Sequence, residues 1–320
     1  MKISVLGPGR WGTFIAWYLH KNGNDVILWG RSNSTHMESL IKNQKNEYVN
    51  LSKDINLTTD LEFAICKSDY IIISISAQGL RGLMQEINKI QGFDTKKYIL
   101  CMKGVEKNTG ARLSTVLLDC NVPKDNIAIW VGPGHIQAFV AEVPSVMLID
   151  AYNEDLSNFL ATNLRSELIR FYRGKDIIGS EIGAASKNVM GLAAGLLDGM
   201  GYSTLKGGLM ARGAREISRL IEACGGNPMS AYGLCHLGDY EATLFSEYSH
   251  NRKWGESFAQ GKPFDKLAEG VDTSSALLTL AEKFDVELPI TKIVNDVINN
   301  KITKLDAIKF LLGRDNLNEF

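Results

Sequence analysis

No stretch of this 320-residue chain stays apolar for the roughly 20 residues that a membrane-spanning helix needs, and Asp198 interrupts the best candidate. The opening MKISVLGPG is too short in its apolar run for a signal peptide and reads as a first strand. Cysteine is scarce and unpatterned. Cys66, Cys101, Cys120, Cys224 and Cys235 make an odd count with no CxxC spacing, which argues against a disulfide framework and fits reduced thiols in the cytoplasm. The five histidines are scattered without ligand spacing, so no metal site is expected. Neither sign of charge dominates. The formal net charge of -1 gives no reason to expect nucleic acid or an anionic membrane as partner. No repeat or low-complexity segment appears. What remains is an ordinary globular composition, 45% hydrophobic and 22% charged, at a length that predicts two domains.

The N-terminal half alternates strand and helix. Ile3 to Leu6 is a short apolar strand, followed by the turn Gly7-Pro8-Gly9-Arg10-Trp11-Gly12. Phe14, Ile15, Tyr18 and Leu19 then fall at helical spacing over 13–22, and Val26 to Trp29 reads as a second strand. Strand, glycine turn, helix and strand within about thirty residues make GxGxxG informative. Gly7 permits the tight turn, Gly9 lets backbone approach a pyrophosphate, and Gly12 lets helix and strand pack closely. A glycine turn in some other α/β domain is the plain alternative. The second strand ends in Trp29-Gly30-Arg31-Ser32, without the acid that holds a ribose 2′-hydroxyl. Arginine and a hydroxyl suit a 2′-phosphate, so NADPH is favoured over NADH, although Arg31 reads also as a solvated loop charge.

Further apolar runs at Tyr70 to Ile75, Tyr98 to Met102, Ile127 to Val131 and Val146 to Ile149 extend the alternation into a doubly wound sheet. Ligands of such sheets bind beyond the carboxyl ends of the strands. Lys103 and the Gly132-Pro133-Gly134 turn occupy that edge.

From about Ser180 onward helical patterns dominate, as over 209–223 and 274–284, with breaks at Gly225-Gly226-Asn227-Pro228 and near Gly261-Lys262-Pro263. The expected division is 1–179 for dinucleotide binding and 180–320 for a helical substrate-binding domain. Lys187 stands out, with Gly183 and Gly191 four residues to either side and Met190 three beyond. An ammonium among such residues is poorly solvated, and desolvation lowers its pKa toward the range useful for proton transfer. Beside a dinucleotide fingerprint, that points to the acid/base partner of a hydride transfer. In isolation it reads as a lysine whose stem packs while its head reaches water.

These residues resemble the bacterial-type NAD(P)-dependent glycerol-3-phosphate dehydrogenases along nearly the whole chain. The resemblance is carried by GPGRWGT at 7–13, MKGVE at 102–106, SKNVMGLAAGLLDGMG at 186–201, ARGAREISRL at 211–220, LGD at 237–239, SHNRKWG at 249–255, AEGVDT at 268–273, LPIT at 288–291 and LLGR at 311–314. It implies a Rossmann-type doubly wound parallel sheet and a C-terminal all-helical domain like that of 6-phosphogluconate dehydrogenase. The implied activity interconverts dihydroxyacetone phosphate and sn-glycerol 3-phosphate with NADP or NAD, feeding glycerophospholipid synthesis, in a cytoplasmic homodimer. Position by position, Lys187 matches the proton acceptor, Lys103 the second lysine touching substrate and cofactor, and Asp239 the carboxylate that holds Lys187 or the substrate hydroxyls. Gly132, Gly134, Ser249, His250, Asn251 and Arg252 match substrate contacts. Gly7, Gly9, Arg10, Trp11, Gly12, Arg31, Lys103, Ile136, His250, Leu267 and Glu269 match cofactor contacts.

Two positions depart from the family pattern. Gly134 stands where the family has serine or threonine, which removes a hydroxyl, and His250 stands where it has arginine, which removes a planar guanidinium fork. Either Arg252 takes over at the phosphate, or phosphate binding weakens, or the substrate is a related molecule. The rival readings are a reductase of a related hydroxy acid or polyol phosphate and a non-catalytic NADPH-binding sensor.

Overall fold

The structure, a computed structural model, describes residues 1–313, so Arg314 at the end of the LLGR segment lies outside the described residues. Its first half is one eight-stranded sheet: β1 (Lys2–Leu6), β2 (Asp25–Trp29), β3 (Asn56–Thr58), β4 (Tyr70–Ile73), β5 (Lys97–Leu100), β6 (Ile127–Val131), β7 (Ser145–Ala151) and β8 (Ile169–Arg173). The order is β3-β2-β1-β4-β5-β6-β7-β8. It is covered by α1 (Arg10–Lys21), α2 (Thr35–Asn43), α3 (Leu61–Cys66), α4 (Leu80–Ile87), α5 (Leu113–Asp119), α6 (Ile136–Val140) and α7 (Glu154–Asn163). Leu6 lies beside Trp29 on one side and Ile73 on the other, and Leu100 beside Ile73 and Ile129. That register lines up the carboxyl ends of the central strands at one edge, where the ligand crevice of a doubly wound sheet forms.

The expected doubly wound architecture is present, with one difference at its far edge. β7 runs antiparallel to β6, and β8 returns parallel to β7. A parallel return needs a full crossover, and the chain between β6 and β7 forms no more than the five-residue α6. β4 and β5 also stop at Ile73 and Leu100, two residues short of the apolar runs, because the chain leaves the sheet there to form the crevice edge. The edge strands β3 and β8 carry weaker sequence signals, a three-residue Asn-Leu-Thr segment and an arginine-interrupted Ile-Arg-Phe-Tyr-Arg alternation.

Both sheet faces are covered. Met84, Tyr98 and Leu117 fill one side, and Phe14, Tyr18, Trp130 and Phe139 the other. The second half is helical: α8 (Ile177–Gly199), α9 (Lys206–Ala223), α10 (His250–Ala259), α11 (Gly270–Lys283), α12 (Pro289–Ile298) and α13 (Lys304–Leu312). α8 is its axis, buried continuously from Gly179 to Leu197 as an apolar-all-round helix must be. Glycines let α10 lie directly on it. A Cβ at Gly195 would sit 2.0 Å from the Arg252 carbonyl oxygen, and one at Gly255 would sit 2.3 Å from that of Leu192. Among the described residues, no helix is long and apolar enough to cross a membrane.

Candidate active site

The glycine turn leaves β1 at the crevice edge. Gly7 takes φ +123°, and a Cβ there would approach the Ser74 carbonyl oxygen to 2.3 Å. A Cβ at Gly12 would lie 1.8 Å from the Gly7 oxygen, so α1 packs hard against the turn. At Gly9, by contrast, a Cβ would meet nothing within 4 Å among the described residues. Gly9 caps α1 without a side-chain hydrogen bond, and the first turn holds no acid. Free amides, a partial positive charge and open space over Gly9 fit a dinucleotide pyrophosphate.

The other expected cofactor contacts surround this turn unevenly. Trp11 packs edge-on against Phe14 and Phe139, and Lys103 Nζ lies 6.0 Å from its ring. Ile136 is buried, whereas Arg31 is exposed just past β2. Leu267 is 65% exposed, and its carbonyl oxygen is 3.3 Å from His250 Nδ1. The Glu269 carboxyl takes the Ala77 amide, and burial pushes its pKa up to about 7.

Lys187 reaches from the middle of α8 into the space between the two halves and is only 8% exposed. Its Nζ lies 2.8 Å from Asp239 Oδ2 and donates to Thr243 Oγ1 at 2.9 Å. Lys103, just beyond β5, places its Nζ 2.8 Å from the same Asp239 oxygen and donates to the Gly132 carbonyl at 2.7 Å. Asp239 ends a short 3-10 turn (Leu237–Asp239), and Thr243 lies in the following π turn (Glu241–Phe245). Burial lowers the Lys187 pKa to about 8 and Lys103 adds to the fall, while Asp239 opposes it. Two ammonium groups on one carboxylate leave net positive charge where an oxyanion would develop. Asp239 Oδ1 is buried without a partner among the described residues and remains free to accept a hydrogen bond.

An amide relay fixes this group. Asn188 donates to the Lys103 carbonyl at 2.8 Å, Asn251 donates to Asn188 Oδ1 at 3.0 Å, and the Gly270 amide donates to Asn251 Oδ1 at 2.9 Å. Asn251 thus links the start of α10 to the lysine helix and to α11. Ser249 caps α10, its Oγ accepting the Arg252 amide at 3.3 Å. The Arg252 side chain turns away. Its Nε lies 2.6 Å from Asp198 Oδ2, which also pairs with Lys206 at 2.7 Å. Asp198 is three turns beyond Lys187, about 16 Å along α8. The guanidinium nearest His250 comes instead from the glycine turn, Arg10 Nη1 lying 2.7 Å from His250 Nε2. Burial, then Arg10, lowers the His250 pKa, so the ring is a neutral acceptor.

The structure therefore brings Lys103, Lys187, Asp239 and the Gly132 turn to one point, with Asn251 in the next layer. It leaves Arg252, Arg31 and the Leu267 side chain outside that point. Three residues beside this point escape the reading of the sequence: Thr243, Asn188 and His135, on whose ring the charges of Lys187, Asp239 and Lys103 act. Asn188 follows Lys187 directly, and His135 follows Gly134, so adjacency is the available signal for both. Thr243 carries none.

Comparison with known proteins bears on the same residues. Residues 2–157 match the family model described as the NAD-dependent glycerol-3-phosphate dehydrogenase N-terminus, and residues 176–309 match that of its C-terminus. The glycerol-3-phosphate dehydrogenase (NAD(P)+) of Thermoanaerobacter sp. is 30% identical over 331 residues, spanning 100% of this chain and 99% of the relative. That of Staphylococcus carnosus is 32% identical, spanning 99% of each. The crystal structure of glycerol-3-phosphate dehydrogenase from Coxiella burnetii superposes with a TM-score of 0.89 at 25% identity, covering 98% of both chains.

Proposed function

The chain belongs to the NAD-dependent glycerol-3-phosphate dehydrogenase family, and on that premise we propose that it interconverts dihydroxyacetone phosphate and sn-glycerol 3-phosphate with Lys187 as the proton acceptor and donor. The observation that carries this reading is the placement of a buried amine, its pKa brought to about 8, between Asp239 and Thr243 at the crevice edge. The bound nicotinamide cofactor supplies or accepts the hydride. In the oxidation direction, neutral Lys187 removes the proton of the C2 hydroxyl; in reduction its ammonium form returns it. Lys103 stabilises the charge that develops on the C2 oxygen. Asp239 holds both amines in place. Ser249, His250, Asn251 and Arg252 form the segment assigned to the phosphate end, with Arg10 as the cation that reaches it.

Gly7, Gly9, Arg10, Trp11, Gly12, Ile136 and Glu269 are assigned to the cofactor. The absence of an acid after β2, with Arg31 exposed there, supports a preference for NADPH. We divide the chain near residue 180, so that α8 opens the second domain. The family and the five free thiols support a cytoplasmic enzyme, working as a homodimer and feeding glycerophospholipid synthesis. The decisive assay follows reduced-cofactor absorbance with dihydroxyacetone phosphate and NADPH or NADH. Consumption that depends on the phosphorylated ketone and is faster with NADPH is expected; none with either cofactor overturns the reading.

A further inference from the structure

We propose that Glu181 is a positioning residue for the proton-transfer group: by gripping the far end of the loop that begins at Lys103, it sets where the Lys103 ammonium stands against Lys187 and Asp239. The inference rests on the reaction assigned above and adds to it a requirement outside the atoms that meet substrate.

The 103–112 loop leads from β5 to α5 and doubles back on itself. Val105 bridges Arg112 in antiparallel pairing, and the Glu106 amide donates to the Ala111 carbonyl at 2.9 Å. α8 holds this hairpin at both ends. Asn188 Nδ2 donates to the Lys103 carbonyl at 2.8 Å. Seven residues earlier, two turns back and on the same face of α8, Glu181 takes the other end. Its Oε1 accepts the Ser114 amide at 2.7 Å, and its Oε2 accepts Arg112 Nη1 at 2.6 Å and Ser114 Oγ at 2.5 Å. Tyr152, just past β7, steadies the same pair, its hydroxyl lying 3.0 Å from Ser114 Oγ and 3.3 Å from Arg112 Nη1.

The two amines come from different parts of the fold, Lys103 from the sheet edge and Lys187 from α8, so their spacing depends on how the loop sits on that helix. A lysine stem is flexible and does not fix it alone. Glu181 stays clear of the reacting atoms, six residues and about 9 Å before Lys187 along the axis. Both Glu181 and Ser114 are buried. A buried ion pair stabilises little beside an apolar filling of the same shape, and what it supplies here is register. Without that grip, Lys103 keeps its bond from Asn188 but loses the brace at the other end of the hairpin, and its ammonium shifts away from Lys187.

The test is the pH profile of kcat/KM for glycerol 3-phosphate oxidation in Glu181→Ala and Glu181→Gln. Asp239, Lys103 and Glu269 are the charged groups that face Lys187, while burial keeps the His135 and His236 rings there neutral. Lys103 lowers the Lys187 pKa, so a displaced Lys103 should raise the midpoint above about 8, by about half a pH unit or more. Loss of the Glu181 charge by itself acts in the opposite direction, which makes an upward shift diagnostic. Glu181→Ala should also lose about tenfold to a hundredfold in kcat, the scale of a misplacement by an ångström, with the cofactor KM within about threefold. Glu181→Gln keeps an acceptor for the Ser114 amide, so it should recover part of kcat and serves if the alanine variant folds poorly. In a Lys103→Met background, Glu181→Ala should cost less than about twofold, because the group it positions is gone. Glu216→Gln alters a buried carboxylate that holds the Ile290 and Thr291 amides, and it should lower the melting temperature without moving the midpoint. If the unaltered enzyme turns over neither glycerol 3-phosphate nor dihydroxyacetone phosphate, the reaction itself fails and this inference with it. If it is active but the midpoint stays or falls in both Glu181 variants, or the loss is undiminished in the Lys103→Met background, the role of Glu181 alone is overturned.

Discussion

Lys187 Nζ lies 2.8 Å from Asp239 Oδ2, an oxygen that also binds Lys103 Nζ at 2.8 Å. Lys187 is the member of this cluster whose pH behaviour has a definite sign. Burial lowers the Lys187 pKa from 10.5 to about 8, and Asp239 keeps it from falling further. With Lys187 as the proposed proton acceptor, oxidation of glycerol 3-phosphate draws on the neutral amine, so its kcat/KM should rise with pH and level off above about 8. Reduction needs the ammonium form and should fall over the same interval. Asp239→Asn removes the carboxylate that favours the charged amine, so the midpoint should move to lower pH as activity drops. Profiles in both directions check this; a midpoint near the ordinary lysine value, or one that Asp239→Asn leaves in place, contradicts it.

Lys187→Ala should lose on the order of a hundredfold or more in kcat, the usual scale of general acid/base catalysis. Cofactor affinity should stay within about threefold, because the glycine turn and α1 do not depend on this side chain. Steady-state kinetics together with a direct NADPH titration separate the two. Normal turnover by the variant would remove Lys187 from the mechanism.

The parts of this site that are legible in the sequence are those imposed by local constraint. Gly7 and Gly12 announce themselves because any side chain at either position strikes backbone at 2.3 Å or less. Lys187 is legible because a charge amid glycine and alanine at helical spacing has nowhere to be solvated. The destination of Arg252 is not legible. Its partner Asp198 is 54 residues away, and only the close glycine packing of α10 on α8 brings them together. The reversal of β7 is hidden for a similar reason, since Val146 to Ile149 reads as the same apolar strand in either direction.

Gly9 separates folding from binding. No described atom lies within 4 Å of where its Cβ would be, so Gly9→Ala should leave the melting temperature within about 2 °C of the parent. The same methyl would project over the free amides at the start of α1, where a pyrophosphate needs close backbone approach. The KM for NADPH should therefore rise by about tenfold or more. Thermal melting and KM measured on one preparation test both halves. A variant that unfolds, or that binds NADPH normally, contradicts the assignment of this turn.

Gly255→Ala should do the opposite. Its Cβ would meet the Leu192 carbonyl oxygen at 2.3 Å and the Leu196 amide nitrogen at 3.0 Å, so α10 must lift off α8. Overpacking of this kind costs about 1–3 kcal/mol, or very roughly 2–10 °C in a chain of this size. Gly208→Ala on α9 meets nothing within 4 Å among the described residues and should be neutral or slightly stabilising, as alanine is in a helix interior. A melting curve for Gly255→Ala that overlays the parent would show that the two helices are not in such close contact.

Arg10 and His250 should behave as one unit. The guanidinium lies 2.7 Å from a ring that burial and Arg10 itself keep neutral, so the cation in direct contact with this ring is the one delivered by the glycine turn, with Lys266 and Lys253 acting on it from farther away. Arg10→Ala should raise the KM for the phosphorylated ketone by about tenfold, the scale of a hydrogen bond to a charged group. Arg252→Ala should act chiefly on stability, because its side chain is spent on Asp198. His250→Arg by itself brings a second guanidinium against the first, so it should not lower KM. Adding Arg10→Ala to His250→Arg relieves that repulsion, and the double variant should bind the ketone better than either single one. A KM that falls on His250→Arg alone would mean that Arg10 leaves this corner when substrate arrives.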